Sequence, residues 1–174
     1  MLRPSAVLSI VALAVALGMM LGELILSRAN ERTLRERGAI EPAGDVYRAL
    51  AWAYPSMFVA MAVEGIVAAP PPGARAVAGV LVFLIAKAFK FWAISTLGTR
   101  WTYRVLVPPD APLVTRGPYA CVRHPNYLAV FGEIVGIALL VGAPLTGAIS
   151  LIAFGALVRK RIAVEESALG RGGI

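Results

Sequence analysis

The side chains best suited to chemistry lie in one polar stretch, residues 115–127, Thr-Arg-Gly-Pro-Tyr-Ala-Cys-Val-Arg-His-Pro-Asn-Tyr. Its Gly-Pro pair is typical of a turn, and His124 precedes a proline, which disfavours helix at that position. We expect Asn126 to cap a helix that begins at Tyr127. The bend would direct the rings of Tyr119, His124 and Tyr127 toward one cavity. The alternative is an aromatic belt at a membrane interface, with neighbouring arginines reaching lipid headgroups.

A second group of charged side chains follows near the C-terminus. Arg161 and Glu165 are four residues apart, so they share a helix face, where a plain surface ion pair contributes roughly 0.2–0.5 kcal/mol. The functional alternative is that a carboxylate here binds a cationic or hydroxyl-bearing ligand. Cys121 is expected to be inert, because only His124 lies near it in sequence as a base. One cysteine and one histidine predict no metal site and no internal disulfide.

Several ionisable residues interrupt the apolar segments. Lys87 and Lys90 are three apart and share a helix face, and Glu133 lies at a comparable depth on a later helix. We expect an ion pair between Glu133 and one of these lysines, with direct contact to a substrate or cofactor as the alternative. Glu64 is interpreted as structural. Glu23 lies in the first apolar segment and has no assigned partner.

The amino-acid composition indicates that these groups belong to a protein embedded in a lipid bilayer. The chain has 174 residues, of which 59% are apolar and 16% charged, with a mean hydropathy of +0.76. Soluble domains have about 45–50% apolar and about 25% charged residues. A domain of this size cannot bury such an excess in one core. The composition therefore excludes an ordinary cytosolic enzyme, a disordered chain and a disulfide scaffold.

The hydrophobic pattern predicts an all-α integral membrane protein with about five transmembrane helices, forming a single domain over residues 1–174. The first apolar segment, 5–26, is interpreted as an uncleaved span, because no small-residue cleavage site follows it. The predicted parts are three full spans within 5–97 (5–26, 49–69 and 74–97), a polar connector (98–126), a shorter helical hairpin (127–158) and a polar C-terminal helix and tail (159–174).

The connector is the longest polar stretch, and its pattern includes residues typical of strands. Residues 101–107 are expected to be extended, and 108–110 to form a turn. Residues 113–115 are a candidate return strand. The connector would then form a cytoplasmic cap together with the C-terminal helix.

The placement of the positive charge predicts which side faces the cytoplasm. Thirteen of the 17 lysines and arginines lie in segments 28–48, 98–126 and 159–174, whereas two lie on the opposite side and Lys87 and Lys90 lie within a span. The positive-inside rule places the arginine-rich side in the cytoplasm. We therefore expect an integral membrane protein whose active site faces the cytoplasm, with the lipid bilayer and not nucleic acid explaining the net charge of +7.

These motifs together resemble the isoprenylcysteine carboxyl methyltransferase family, membrane enzymes that use S-adenosylmethionine. The resemblance is strongest over residues 80–169. Arg-His-Pro-x-Tyr alone also occurs in related phospholipid methyltransferases and membrane sterol reductases, so the combination with a terminal Arg-x-x-x-Glu-Glu is the more specific signal. The motifs are Leu113-Val114-Thr115-x-Gly-Pro-Tyr119, Arg123-His124-Pro125-Asn126-Tyr127 and Arg161-Ile-x-x-Glu165-Glu166-x-x-Leu169.

The resemblance implies a set of site residues. Arg161 would face the methyl acceptor, and Arg161 or Arg123 would hold an anionic acceptor by charge-assisted hydrogen bonds. Glu165 would match the positive charge of the methyl donor. The residues implied to line the S-adenosylmethionine pocket are Leu113, Val114, Tyr119, His124, Pro125, Asn126, Tyr127 and Glu165.

The N-terminal half resembles a bacterial branch of the family that is often found beside type III polyketide synthases. The matching segments are Asn30-Glu31-Arg32, Arg37-Gly38 and Gly44-Asp45-Val46-Tyr47. Members of that branch are thought to methylate alkylpyrones or alkylresorcinols, which implies a functional link to such a synthase. The aromatic, Val-Pro-containing tail of eukaryotic members is missing, which argues against a prenylcysteine acceptor.

The predicted function is S-adenosylmethionine-dependent O-methylation of a lipophilic small molecule. A carboxylate or acidic enol is already ionised near neutral pH, whereas a phenol or amine acceptor would need a base, for which His124 or Glu133 is available. The alternatives are a phospholipid N-methyltransferase, an NADPH-dependent membrane reductase of related fold, and a small transporter or assembly protein with Lys87, Lys90 and Glu133 lining its path.

Overall fold

The computed structural model describes residues 3–109 and 113–168. Asp110 of the predicted turn, Arg171 of the charge count, and the tail from Leu169 onward lie outside the described residues. Two short 3-10 turns, Gly98–Arg100 and Gly117–Ala120, lie in the connector. The long helices in the described ranges are α1 (Pro4–Glu36), α2 (Tyr47–Ala68), α3 (Ala74–Leu97), α4 (Pro125–Val141) and α5 (Pro144–Ala168).

The prediction of an all-α membrane protein is confirmed. Helices α1, α2 and α3 are long and apolar enough to cross a membrane, and α4 is a shorter apolar helix of 17 residues. Helix α5 has 25 residues and continues without a break from the apolar run 145–158 into the polar segment that carries Arg161 and Glu165. The long helices hold the site residues at the end of the bundle where the arginines concentrate.

Helices α3 and α4 pack more extensively than any other described pair. Glycines allow this contact: a Cβ atom on Gly136 would come within 2.7 Å of the backbone nitrogen of Phe83, and one on Gly132 within 2.8 Å of the Ala86 Cβ atom. Small residues let membrane helices approach closely and gain dispersion contacts. This tight pair fixes the position of Lys87 and Lys90 relative to Glu133.

The far end of the bundle is closed by side chains that satisfy helix termini. Glu64 accepts hydrogen bonds from the backbone N–H groups of Leu145 (3.1 Å) and Thr146 (2.7 Å), the free donors at the start of α5. The Arg75 guanidinium donates to the carbonyl oxygen of Leu139 at the end of α4. The structural interpretation of Glu64 is therefore confirmed.

The predicted return strand at 113–115 is wrong. Val107 pairs instead with Ile40 of the α1–α2 loop, with both N–O distances at 3.0 Å. Elsewhere the backbone of the connector is bonded by side chains: Asn30 donates to the carbonyl oxygen of Trp101 (2.8 Å), and the Ser27 hydroxyl accepts from the N–H of Tyr103 (2.8 Å). Because polar groups on α1 and its loop satisfy this backbone, it needs no strand ladder.

The predicted cap at Asn126 is also wrong. Helix α4 begins at Pro125, and His124 occupies the cap position without a capping hydrogen bond from its side chain. Proline is favoured at the first helical position because its fixed φ suits the helix and it has no N–H group to leave unpaired. Asn126 is therefore inside the helix, where its side-chain oxygen accepts from the indole N–H of Trp101 at 3.3 Å.

Candidate active site

One cavity of about 830 Å³ lies at the arginine-rich end of the bundle, between the connector and all five helices. Its wall contains the predicted site residues from three separate segments of the chain. The structure brings all of them together; their roles remain predictions. They are Leu113, Val114, Tyr119, Arg123, His124, Pro125, Asn126, Tyr127, Arg161 and Glu165.

Arg161 lies at the centre of the polar end of this cavity. It is 4% exposed, so the alternative of a simple surface ion pair is wrong. Its Nε atom lies 2.9 Å from the Tyr127 hydroxyl and 3.2 Å from Glu165 Oε1, and its Nη1 atom lies 2.9 Å from Asp45 Oδ1. The Tyr127 hydroxyl also donates to Glu165. Arg161 therefore contacts two carboxylates in separate segments of the chain.

His124 occupies the other side of Glu165. Its Nδ1 atom is 3.3 Å from Glu165 Oε2, its Nε2 atom is 3.5 Å from Glu166 Oε1, and its ring stacks on Tyr127. The hydrogen bond to Glu165 raises the pKa of His124 above 6.5, and the Glu165 and Glu166 charges add to that shift against desolvation. Both ring nitrogens face carboxylates, so His124 orients Glu165 and is poorly placed as a general base.

The Glu165 carboxyl group stays ionised despite its partial burial. Burial raises the pKa of Glu165, but the hydrogen bond from His124 and the charge of Arg161 outweigh burial, and the pKa lies below 4.5. A side chain that remains negative at the wall of a cavity suits a cationic ligand. This property agrees with the role that the sequence predicts for Glu165.

Arg123 differs from Arg161 in its surroundings. Its side chain is 77% exposed, and its closest carboxylate contact is 3.7 Å, from Nη1 to Glu166 Oε1. It lies at the mouth of the cavity and has no fixed geometry of the kind that surrounds Arg161. The two arginines, which the sequence treated alike, therefore stand in different positions relative to the cavity.

The turn before α4 brings aromatic side chains to the same wall. Gly117 has a φ of +57°, which favours glycine, and a Cβ atom there would meet the Thr96 side chain. The turn that follows places Tyr119 at the cavity, where burial and the Glu165 charge raise its pKa. Trp101 is buried beside Asn126 and also lines the cavity. These rings provide flat surfaces next to the charged network.

The other half of the cavity is apolar, and sequence reasoning did not find it. It is formed by side chains of α1 and α2 together with Val130 of α4 and Phe154 of α5. No motif marks these positions, because any apolar residue on a membrane helix serves equally well. The α1 and α2 residues include Leu17, Met20, Leu21, Leu50, Ala51 and Pro55.

A ring of four charged side chains lies within α1, α3 and α4 and borders the cavity through Lys90. The Lys87 Nζ atom lies 2.8 Å from Glu23 and 3.1 Å from Glu133, and the Lys90 Nζ atom lies 2.6 Å and 3.3 Å from the same two carboxylates. The predicted pairing of the lysines with Glu133 is confirmed; Glu23 is the partner that sequence reasoning missed. Of these four, only Lys90 lines the cavity.

Asp45 is the other residue that sequence reasoning missed. It comes from the α1–α2 loop, and its carboxylate binds Arg161 Nη1 and the N–H of Val105, both at 2.9 Å. The Gly44-Asp45-Val46-Tyr47 segment carried a resemblance, but nothing in its spacing linked it to Arg161. Their 116-residue separation in the chain explains why local patterns could not find the contact.

These features define the class of the protein. It is a helical membrane protein with a charged, aromatic network at one end of an apolar cavity. Residues 78–171 match the isoprenylcysteine carboxyl methyltransferase (ICMT) family, and the chain belongs to that family. The matched segment includes the connector, His124, Arg161 and Glu165. Asp45 and helices α1 and α2 precede it.

Two similar proteins come from bacteria. The chain is 31% identical to the uncharacterized protein YpbQ of Bacillus subtilis (strain 168) over 147 residues, covering 84% of this chain and 88% of that protein. It is 26% identical to an uncharacterized protein of Haemophilus influenzae (strain ATCC 51907 / DSM 11121 / KW20 / Rd), covering 84% and 86% of the two chains. No solved structure matches significantly. Family membership makes the protein an integral membrane methyltransferase.

Proposed function

We propose that this protein uses S-adenosylmethionine to O-methylate a lipophilic small molecule bearing a carboxylate, acidic enol or phenol. One observation carries the proposal: a single cavity joins an ionised carboxylate, a buried arginine and aromatic rings to a long apolar wall. A polar, cationic donor and an apolar acceptor need these two environments side by side. Family membership supports the same reaction class.

The residues present fit the donor. Glu165 is ionised and would bind the positively charged amino group or sulfonium, while Tyr119 and Trp101 offer aromatic faces for a planar base. The Arg161 Nη2 atom makes no hydrogen bond to any residue in 3–109 or 113–168, and it is available to an oxygen of the acceptor. The cavity volume of about 830 Å³ lies within the usual range for small-molecule sites.

The donor, when bound, supplies an electrophilic methyl group whose carbon bonds to the acceptor oxygen while the carbon–sulfur bond breaks and its electron pair stays on sulfur. The protein's part is to position the two molecules and to exclude water. Arg161 holds the acceptor oxygen, Glu165 holds the donor, and His124 and Tyr127 fix Glu165 by hydrogen bonds. A carboxylate or an acidic enol is already ionised and needs no general base. The site therefore suits these two acceptors better than a neutral phenol, because both ring nitrogens of His124 already face carboxylates.

The apolar wall supports entry of the acceptor from the bilayer. Leu21 of α1 and Trp52 of α2 line the cavity and are also strongly exposed, 57% and 79% respectively. Under this proposal the donor enters from the cytoplasm, and the protein lies in the inner membrane of a bacterial cell. The link to a type III polyketide synthase stays a prediction.

Ligand binding to the purified full-length protein tests the proposal. Isothermal titration calorimetry in detergent should show binding of S-adenosylhomocysteine, and Glu165→Gln should weaken it by about tenfold or more, because a charge-assisted contact worth roughly 1.5–3 kcal/mol is lost. Glu64→Gln is a matched control, since Glu64 caps α5 at the far end of the bundle. It should leave the affinity unchanged.

The competing enzyme class gives the opposite result. Binding of NADPH without binding of S-adenosylhomocysteine would contradict a methyltransferase and favour a membrane reductase.

A second experiment tests the methyl transfer itself. Incubation of membranes with methyl-labelled S-adenosylmethionine should transfer label to material that partitions into organic solvent. Release of that label as methanol by mild alkali identifies a methyl ester, whereas alkali-stable label identifies an enol or phenol ether.

A further inference from the structure

Two arginines on the apolar side of the cavity differ from its other cations. Arg28 of α1 and Arg48 of α2 line the cavity and are exposed, so they lie where it opens. Neither forms a hydrogen bond or an ion pair with any residue in 3–109 or 113–168. On the same wall, carboxylates lie 2.6, 2.7 and 2.9 Å from Lys90, Arg104 and Arg161 respectively. No carboxylate in the described ranges neutralises Arg28 or Arg48.

The two arginines lie at nearly the same depth in the bundle. A Cβ atom on Gly65 would come within 2.7 Å of the Ser9 hydroxyl oxygen, so these residues are side by side at the ends of α1 and α2 that are far from the loop between them. The two helices are therefore antiparallel. A rise of about 1.5 Å per residue puts Arg28 about 28 Å and Arg48 about 26 Å from that contact.

Each arginine stands at the end of an apolar column on its own helix. The apolar residues lie four and seven positions from the arginine, toward the middle of the bundle, and such spacings share one helix face. A cation followed by an apolar strip suits a ligand with an anionic head and a long apolar chain. The columns consist of Leu21, Leu24 and Arg28 on α1, and of Arg48, Trp52 and Pro55 on α2, and all six residues line the cavity.

The charges of the cavity assign this side to the acceptor. The proposed donor is cationic, and Glu165, the carboxylate that would bind it, lies on α5. Arg28 and Arg48 repel a cation and attract an anion. A guanidinium also forms charge-assisted hydrogen bonds with an ionised oxygen, which are shorter and stronger than bonds to a neutral one. An anionic acceptor is therefore drawn to the side formed by α1 and α2.

We propose that Arg28 and Arg48 form an anion-binding subsite at the opening of the cavity, which selects an acceptor that is already ionised and carries a long apolar chain. The proposal rests on the proposed function for the reaction and deepens it by assigning the charge of the acceptor. The subsite raises the local concentration of the anion, and Arg161 holds the ionised oxygen during methyl transfer. A neutral amphiphile of the same length gains nothing from the two arginines.

Quenching of tryptophan fluorescence by brominated amphiphiles tests the subsite, because Trp52 lies one helical turn from Arg48. The full-length protein in phosphatidylcholine nanodiscs is titrated with dibromostearate, which is an anion, and with its methyl ester, which is neutral and has the same chain. Dibromostearate should quench at the lower concentration. Trp52→Phe should reduce the quenching, since it removes the tryptophan of this side. Equal quenching by both amphiphiles, or quenching unchanged in Trp52→Phe, would overturn the proposal.

A double variant tests the arginines themselves. Arg28→Gln with Arg48→Gln should raise the half-saturating concentration of dibromostearate by about fivefold, because two exposed charge contacts are lost. High salt should weaken dibromostearate binding in the original protein more than in this variant, since salt screens exposed charges. Arg28→Lys with Arg48→Lys keeps both charges and should stay within about twofold of the original. The thermal midpoint should not change, because exposed side chains without partners contribute little to stability.

The matched control is Arg32→Gln. Arg32 lies one turn beyond Arg28 on α1, is exposed and has no partner among the described residues, but it does not line the cavity. Its loss should leave dibromostearate binding unchanged. An equal weakening in Arg32→Gln, or for the methyl ester in the double variant, would overturn the proposal. Equal relief of the quenching by added phosphatidylglycerol would also overturn it, since the arginines would then hold any anionic headgroup.

These results are independent of the test of the proposed function. Failure of the protein to bind S-adenosylhomocysteine contradicts the methyltransferase, while charge-selective quenching that depends on Arg28 and Arg48 still supports a subsite for an anionic amphiphile. Binding of S-adenosylhomocysteine together with equal affinities for dibromostearate in the original protein and the double variant overturns the subsite alone.

Discussion

The two charged clusters of this protein are built from similar side chains, but they differ in whether the opposite charges within the cluster are equal in number. The ring of Glu23, Lys87, Lys90 and Glu133 has equal numbers of opposite charges, and each lysine contacts both carboxylates. The network around Arg161 has two carboxylates on one guanidinium, and Arg161 and Glu165 line the cavity whereas Asp45 does not.

The difference teaches how to separate a structural cluster from a candidate site. The ring pairs its four charges with one another and ties α1, α3 and α4 together, and Tyr54 and Tyr103 donate hydrogen bonds to its carboxylates. An open network keeps an imbalance of charge next to a space that a ligand can fill. The ring also argues against a transport path, since Lys87 and Glu133 do not face the cavity.

The largest expected effect comes from breaking the ring. Glu133→Gln leaves two lysines sharing one carboxylate in a region with almost no exposure, and removing one partner of a buried pair costs about 3–5 kcal/mol. The free energy of unfolding, measured by denaturant titration in mixed micelles, should fall by that amount. Adding Lys87→Met restores equal charges and should recover a large part of it. A loss below about 1 kcal/mol would show that the ring is solvated like a surface pair.

A smaller effect, and one specific to the open network, is a pH dependence from His124. Its folded-state pKa is raised by Glu165, so protonation stabilises the fold: the contribution is complete below about pH 6.5 and is lost as pH rises through the folded-state pKa. The thermal midpoint should therefore fall across that window. Glu165→Gln should flatten the dependence, although Glu166 and Arg123 still face the ring. A profile unchanged by Glu165→Gln would contradict this assignment.

The smallest effect belongs to the exposed pairs that hold the loop against the connector. Arg104 Nη1 lies 2.7 Å from Glu41, but both side chains are about a third exposed, at 32% and 27%. Glu41→Gln should change the free energy of unfolding by less than about 1 kcal/mol. Denaturant titration at low and high salt checks this. A loss comparable to that of Glu133→Gln would mean that exposure does not separate the clusters.

The sequence predicted the helices better than the connector. The apolar runs of α1, α2 and α3 are long enough to be unambiguous, and Pro70-Pro71-Pro72 ends the second. The prediction of a strand at 113–115 failed because strand propensity says nothing about which backbone groups are available for hydrogen bonds. The backbone of Val107 was already paired with Ile40. The cap at Asn126 failed because Pro125 starts the helix one residue earlier.

The residues of the candidate site also fall into two groups, those that the sequence predicted and those that it did not. Residues within recognisable motifs, such as His124 and Glu165, were predicted because those motifs together resemble the motifs of a known family. Asp45, Glu23 and the apolar cavity wall carry no such pattern. The position of each in the network or the cavity depends on contacts with residues far away in the chain, as that of Asp45 depends on Arg161.

The sequence by itself determined that this protein lies in a membrane, how many long helices it has and which side chains are candidates for its site, because hydropathy and short motifs are local properties. Only the tertiary structure decided which charges close on each other and which face a cavity. The reason is physical: the effect of a buried charge depends on its partners within a few ångströms, and those partners come from helices that packing, not chain order, brings together.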